Sequence, residues 1–265
     1  MRTVGFSRVL FAIASASLAI LFLRLPHGGS SPGGQSSPGW EAWVYGSALL
    51  VLASSAGLFF SRIALASALT IAAYQAIRAA IRIPQLFSRP LSVEAWYGFC
   101  EPLTALVGAW ILYAMMRRQS PGSPMPGAGE RGVRAAQVLF GLCCVFYGWS
   151  HFVYADYTAS MVPGWLPNRL GFAYFTGLAH CAAGIGIIVG ILPRLAATLE
   201  ALMMSLFGLL VWVPSFFAQP RPQWAMPPQN QWSELVLTLV LAASAWVVAT
   251  SLRDRPWGFA LRSSV

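Results

Sequence analysis

The sequence predicts an all-α, polytopic membrane protein whose eight transmembrane helices form two parallel-repeat four-helix units. Three observations carry that expectation. The 265-residue chain is 57% hydrophobic and only 9% charged, with a mean hydropathy of +0.63, whereas about a quarter of the residues in a soluble domain are charged. Its apolar residues gather in blocks of roughly 18 to 23, the length that a helix rising about 1.5 Å per residue needs to cross about 30 Å of hydrocarbon. The blocks fall into two groups of four on either side of a Pro/Gly/Ser-rich stretch, residues 120–127.

In hydrocarbon every backbone N–H and C=O needs an internal partner. Blocks this long, without alternation, suit helices rather than the dyad strands of a barrel. Spans are expected at 4–23, 43–60, 63–83, 96–116, 133–154, 170–192, 195–213 and 232–252. The first follows Arg2 and Arg8 as a signal peptide does, but no small-residue cleavage site precedes the Gly/Ser/Pro run, so it reads as a retained helix. The expected organisation is an N-terminal unit at 1–116, a flexible cytoplasmic linker at 117–132, a C-terminal unit at 133–252 and a cytoplasmic tail at 253–265.

Every basic residue is arginine. Eight spans leave only Arg24, Arg82, Arg89, Arg169 and Arg221 on one side, against a larger set from Arg2 to Arg262 on the other. By the positive-inside rule both termini are cytoplasmic, in the cell (inner) membrane. The net charge of +9 reads as topology signal and contact with anionic lipid of the bilayer. No basic-aromatic cluster points to nucleic acid. Trp40, Trp43, Trp96, Trp149, Trp165, Trp224 and Trp232 gather at the opposite interface, where amphipathic rings sit best.

An internal duplication underlies the two units. Arg62 and Arg194 open corresponding helices, which close on Ile81-Arg82-Ile83-Pro84 and Val211-Trp212-Val213-Pro214. The next helices align without a gap, pairing Trp96 with Trp232 and Trp110 with Trp246. A unit with an even number of spans returns to its starting side, so the repeat is parallel, about an axis along the membrane normal.

Small residues let helices approach closely in lipid. Gly141, Cys144, Gly148 and His151 recur at helical spacing, as do Gly177, His180, Cys181 and Gly184, so both histidines are expected to face protein. Gly186 and Gly190 suggest a further G-x-x-x-G contact. A charged carboxylate at mid-membrane costs about 2.5–3.5 kcal/mol, so Glu200 is expected to pair with His180. His151 is expected near the outer surface, about 10 Å in depth from His180 on helical rise, which argues against a haem held between them. His151, Tyr154, Asp156 and Tyr157 cluster at a helix end, where a histidine and a carboxylate can exchange protons and rings can flank a quinone. Arg78 and Arg82, one turn apart, are expected to form a structural ion pair with Glu101. Cys100, Cys143, Cys144 and Cys181 read as small buried residues. No P-loop, HExxH, zinc-ligand spacing, dinucleotide fingerprint or nucleophile elbow appears, so neither stand-alone catalysis nor a metal site is expected.

The most distinctive stretch is Gly148-Trp149-Ser150-His151-Phe152, followed by Val162-Pro163-Gly164-Trp165-Leu166-Pro167 and Thr176-Gly177. It resembles the DoxX family of four-helix membrane proteins in its G-x-x-HF helix end, V-P-x-x-LP loop and following S/T-G turn, over about residues 135–250. Two positions depart from the family pattern: Ala155-Asp156 stands where relatives often carry Pro-Glu, and His180 where they often carry Glu. The resemblance implies a membrane subunit of a redox or quinone-linked assembly, with a quinone and a redox protein as partners. A structural or stress-related membrane protein without catalysis, and a small-molecule transporter, remain open beside it.

Overall fold

The computed structural model describes residues 2–24, 37–119, 127–225 and 228–258, and all regular structure among them is helical. In chain order the helices are α1 (Arg2–Arg24), α2 (Pro38–Gly57), α3 (Ala64–Ser88), α4 (Val93–Arg118), α5 (Glu130–Val153), α6 (Ala155–Met161), α7 (Arg169–Val189), α8 (Pro193–Phe207), α9 (Val213–Ser215) and α10 (Pro228–Ser251). Seven spans, with α8 counted through to Ser215, are long and apolar enough to cross a membrane. Of the eight long helices, α2 falls outside that set. Its 20 residues suffice in length, but Trp40, Glu41, Trp43 and Tyr45 crowd its first turns and lower its hydropathy.

Local chemistry fixes several helix ends. Ser37 accepts a hydrogen bond from the Trp40 N–H, with Pro38 in the first turn of α2, and Ser92 caps α4 through the Ala95 N–H; both satisfy a donor that the helix itself cannot. Asn168, at φ 48, caps α7 through the Gly171 N–H. Gly190 closes α7 in the left-handed region at φ 80, its N–H bonded to the Gly186 carbonyl. This corrects the G-x-x-x-G expectation: Gly190 is a helix terminator of the type glycine serves best, and nothing packs on it within 4 Å. The linker is also shorter than expected, because α4 runs to Arg118 and α5 starts at Glu130, each charge complementing its helix dipole. Trp110 Nε1 donates to the Gly127 carbonyl at 2.9 Å and Arg118 Nε to the Ala128 carbonyl at 3.2 Å, so the linker's far end is tied back to α4.

α8 continues through a π-helical turn, Gly208–Trp212, into α9. The Val213 N–H bonds to the Gly208 carbonyl, five residues back. Pro214 explains the widening, since its ring crowds the carbonyl four residues earlier and it has no N–H to donate.

α1 packs on α2 and α10, α2 on α3, and α3 on α4. α4 meets α5 and α10, α5 meets α7, α7 meets α8, and α8 returns to α10. α4 and α10 therefore run through the centre, while α7 and α8 are the least enclosed. The central pair crosses at small residues: a Cβ on Gly108 would lie 2.7 Å from Ser244 Oγ and from the Phe11 ring. Around that crossing Phe11, Leu18, Ile71, Ile111, Leu112 and Val248 are almost wholly buried. α5 and α7 interlock antiparallel, glycine against glycine. A Cβ on Gly148 would fall 2.5 Å from the Gly177 carbonyl oxygen, and one on Gly184 would fall 2.5 Å from that of Gly141. Close backbone approach of this kind supplies van der Waals attraction where lipid offers no hydrophobic drive. Arg134 caps the end of α7, donating to the carbonyls of Ile187 at 2.8 Å and of Ile188.

Candidate functional site

The polar residues of the C-terminal half converge where α5, α7 and α8 meet. Glu200 projects from α8, about two turns in from Pro193, and its Oε1 lies 2.8 Å from His180 Nδ1 of α7. Both side chains are buried, at 2% and 1% exposure, which is where a lone carboxylate would be most costly. The second oxygen, Glu200 Oε2, has no hydrogen-bond partner; the Cys144 side chain also faces Glu200.

His151 comes closer to His180 than helical rise alone suggests. Their ring centroids are 5.1 Å apart, edge to face, against the expected depth separation of about 10 Å. The direction of the side chains accounts for the difference. In a helix the Cα–Cβ bonds lean toward the N-terminus, so on antiparallel α5 and α7 the two rings lean toward each other. The rings touch, and a macrocycle has no slot between them. Phe207 and Tyr147 complete an aromatic wall, with centroids 5.9 Å and 6.2 Å from His180. His151 Nδ1 lies 2.9 Å from Thr176 Oγ1. Because that hydroxyl donates to the Phe172 carbonyl, it accepts from the ring, which assigns the proton to His151 Nδ1.

These groups line a cavity of about 1410 Å³ that runs along α7 and α8 from Leu192 to the bundle end carrying α6 and opens at the bundle surface, where Phe175, Ile185, Leu199 and Leu206 are exposed. Its walls are mostly apolar, from Phe172, Phe175, Ala183, Leu199, Met203, Phe207 and Leu241 among others. The polar exceptions include Tyr97, Tyr147, Ser150, His151, His180, Glu200 and three more carboxylates, Glu94, Glu101 and Glu234. Tyr97 O–H and Ser150 Oγ are 2.7 Å apart, and Thr104 Oγ1 and Tyr147 O–H 2.9 Å apart.

Two expected groupings are not made. Asp156 is exposed in the first turn of α6 and does not line the cavity. Tyr154 donates instead to Glu94 Oε1 at 2.6 Å, while Ser92 holds Glu94 Oε2 at 2.6 Å. The break after Val153 is the reason: Tyr154 leaves helical geometry at φ −111, ψ 39, and α6 swings Asp156 off the α5 face. The hydrogen bond to Glu94 raises the Tyr154 phenol above its ordinary pKa. Burial, and then the charge of Glu234, do the same for Tyr157.

The Arg78, Arg82 and Glu101 ion pair is also absent as a contact within 4 Å among the described residues. Arg78 donates to Gln75 at 3.2 Å and lies 5.0 Å above the Phe22 ring. Arg82 donates to Gln85 at 3.4 Å. Partners three residues away on the same helix are reached without distortion, so each arginine bonds a glutamine of α3 while Glu101, which both arginines still attract electrostatically, lines the cavity. Glu94, Tyr97, Glu234 and Phe207 were not singled out from the sequence. The signal available for Glu234 was a carboxylate at the third position of the expected span 232–252.

Among the described residues no group of three or more His, Cys, Asp or Glu could hold a metal ion. Residues 140–249 match a family model described as a domain of unknown function, DUF8561. The match begins within α5 and ends within α10, and so covers the whole His151, His180 and Glu200 arrangement. No curated protein and no solved structure matches the chain.

Proposed function

We propose that the chain is a multi-pass protein of the cell (inner) membrane whose C-terminal, DoxX-like unit binds a quinone-type head group as a membrane subunit of a redox assembly. The observation that carries this reading is the cavity of about 1410 Å³, apolar over most of its wall, with His151 and the buried His180–Glu200 pair as hydrogen-bonding groups. Pockets for lipophilic ligands pair apolar walls with a few placed polar groups. A histidine whose Nδ1 faces a carboxylate is oriented to hydrogen-bond a carbonyl or accept a hydroxyl proton through its other nitrogen.

Eight spans in two parallel repeats, with both termini cytoplasmic, complete the proposal. Three packing relations support the repeat. α1 packs on α10 as α4 packs on α5, and the central contact joins α4 to α10, the two helices that correspond. The offset that pairs Trp110 with Trp246 also pairs Gly108 with Ser244, which touch; corresponding residues meet in this way on a two-fold axis. A transporter is the second reading, favoured by the π-helical interruption of α8, whose Leu210, Val211 and Trp212 line the cavity.

Organic extraction of protein purified in mild detergent is expected to yield quinone in stoichiometric amount, and the His180→Asn, Glu200→Gln variant is expected to lose most of it. Quinone absent from protein that is folded and still holds its native lipid contradicts the reading.

A further inference from the structure

The charges around the cavity are of one sign. The chain carries 17 basic and 8 acidic residues, yet Glu94, Glu101, Glu200 and Glu234 line the cavity and no arginine among the described residues does. Such an imbalance in a strongly basic protein sets the character of the space. Glu101 and Glu234 lie on the central helices α4 and α10, each about two turns from the start of its helix, Glu101 half-buried and Glu234 exposed, close enough to interact electrostatically. Neither makes a hydrogen bond or an ion pair within 4 Å among the described residues. The charged groups nearest Glu101 from α3 are Arg78 and Arg82, which are held by Gln75 and Gln85 outside the lining. Deeper in the same space, Glu200 is 2% exposed and its Oε2 is unpartnered. Tyr97, Tyr154 and Tyr157 add ring faces at the α6 end.

We infer that the cavity is a binding site for a hydrophobic organic cation, a protonated or quaternary amine carried between aromatic rings and facing Glu101 and Glu234. Carboxylates in a low-dielectric wall attract positive charge far more strongly than they would in water, and ring faces add to that attraction. An anionic substrate finds no positive side chain in the wall. A zwitterionic lipid is disfavoured for the same reason, because its phosphate has no cationic partner there. The cavity exceeds the roughly 300–1,000 Å³ of common ligand pockets, so a bulky cation fits. This inference concerns ligand charge and stands apart from the quinone reading.

Tetraphenylphosphonium and tetraphenylborate, similar in shape and opposite in charge, test it on the full-length protein in nanodiscs of neutral lipid, with empty discs subtracted. The expected result is saturable binding of tetraphenylphosphonium and none of tetraphenylborate. The Glu101→Gln, Glu234→Gln variant should bind the phosphonium at least about tenfold more weakly, a difference of about 1.4 kcal/mol. Equal binding of both ions to the wild type overturns the inference whether or not the variant folds, as does full phosphonium affinity in a folded variant. Quinone content is read by separate extraction, so either idea can fail alone.

Discussion

Replacing His180 with leucine is expected to destabilise the protein by about 3–5 kcal/mol, because it strands the Glu200 carboxylate in the bundle without its partner. The double variant His180→Leu, Glu200→Leu removes both polar groups at once. Well-packed apolar residues often replace a buried pair at little cost or with some gain, so the double variant is expected to recover most of the loss. Thermal unfolding of the two single variants and the double variant, arranged as a double-mutant cycle, measures the coupling. Losses that simply add would mean that the 2.8 Å contact carries no coupling energy.

The second large effect belongs to the α5–α7 seam. Gly148→Leu forces a side chain into a space where even a Cβ would lie 2.5 Å from the Gly177 carbonyl oxygen and closer still to the Cys181 sulfur. Backbone cannot yield as a flexible side-chain tip does, so the helices must part. We expect a loss of about 3 kcal/mol, at the upper end of what overpacking produces. The histidines sit on the same seam, and a Cβ on Gly177 would itself approach His151 Cβ at 2.8 Å. Opening it therefore displaces His151 from His180 and removes ligand binding together with stability. Gly46→Leu on α2 is the control: a Cβ there meets nothing within 4 Å, and a change within about 0.5 kcal/mol is expected. Monodispersity after purification and the unfolding temperature report both variants.

The fold class was legible because lipid imposes it: long apolar blocks must become helices. The proximity of His180 and Glu200 was legible for a related reason, since a carboxylate inside such a block needs a partner and the preceding helix offered one. What was not legible depended on direction rather than on spacing. Counting rise along two helices set His151 and His180 about 10 Å apart in depth, whereas side chains leaning toward opposite N-termini bring the rings into contact. The turn at Tyr154 removes Asp156 from the α5 face, and no motif announced it; the place of Asp156 goes to Glu94, remote in sequence. Glu101 was assigned to Arg78 and Arg82 by depth alone, but each arginine makes its hydrogen bond to a glutamine on α3. The G-x-x-x-G pattern at Gly186 and Gly190 fits a helix contact and a helix end equally well, and only the backbone at φ 80 separates them.

The central claim is that a histidine and a glutamate on neighbouring membrane helices share a hydrogen bond in the interior of the bundle. Solid-state NMR of the protein in lipid bilayers, labelled with ¹⁵N at histidine and ¹³C at glutamate carboxyls, measures it directly through the dipolar coupling between His180 Nδ1 and the Glu200 carboxyl carbon. A strong coupling, lost in Glu200→Gln protein without the labelled carboxyl, is the expected result. An uncoupled His180 in folded, bilayer-embedded protein would contradict the account.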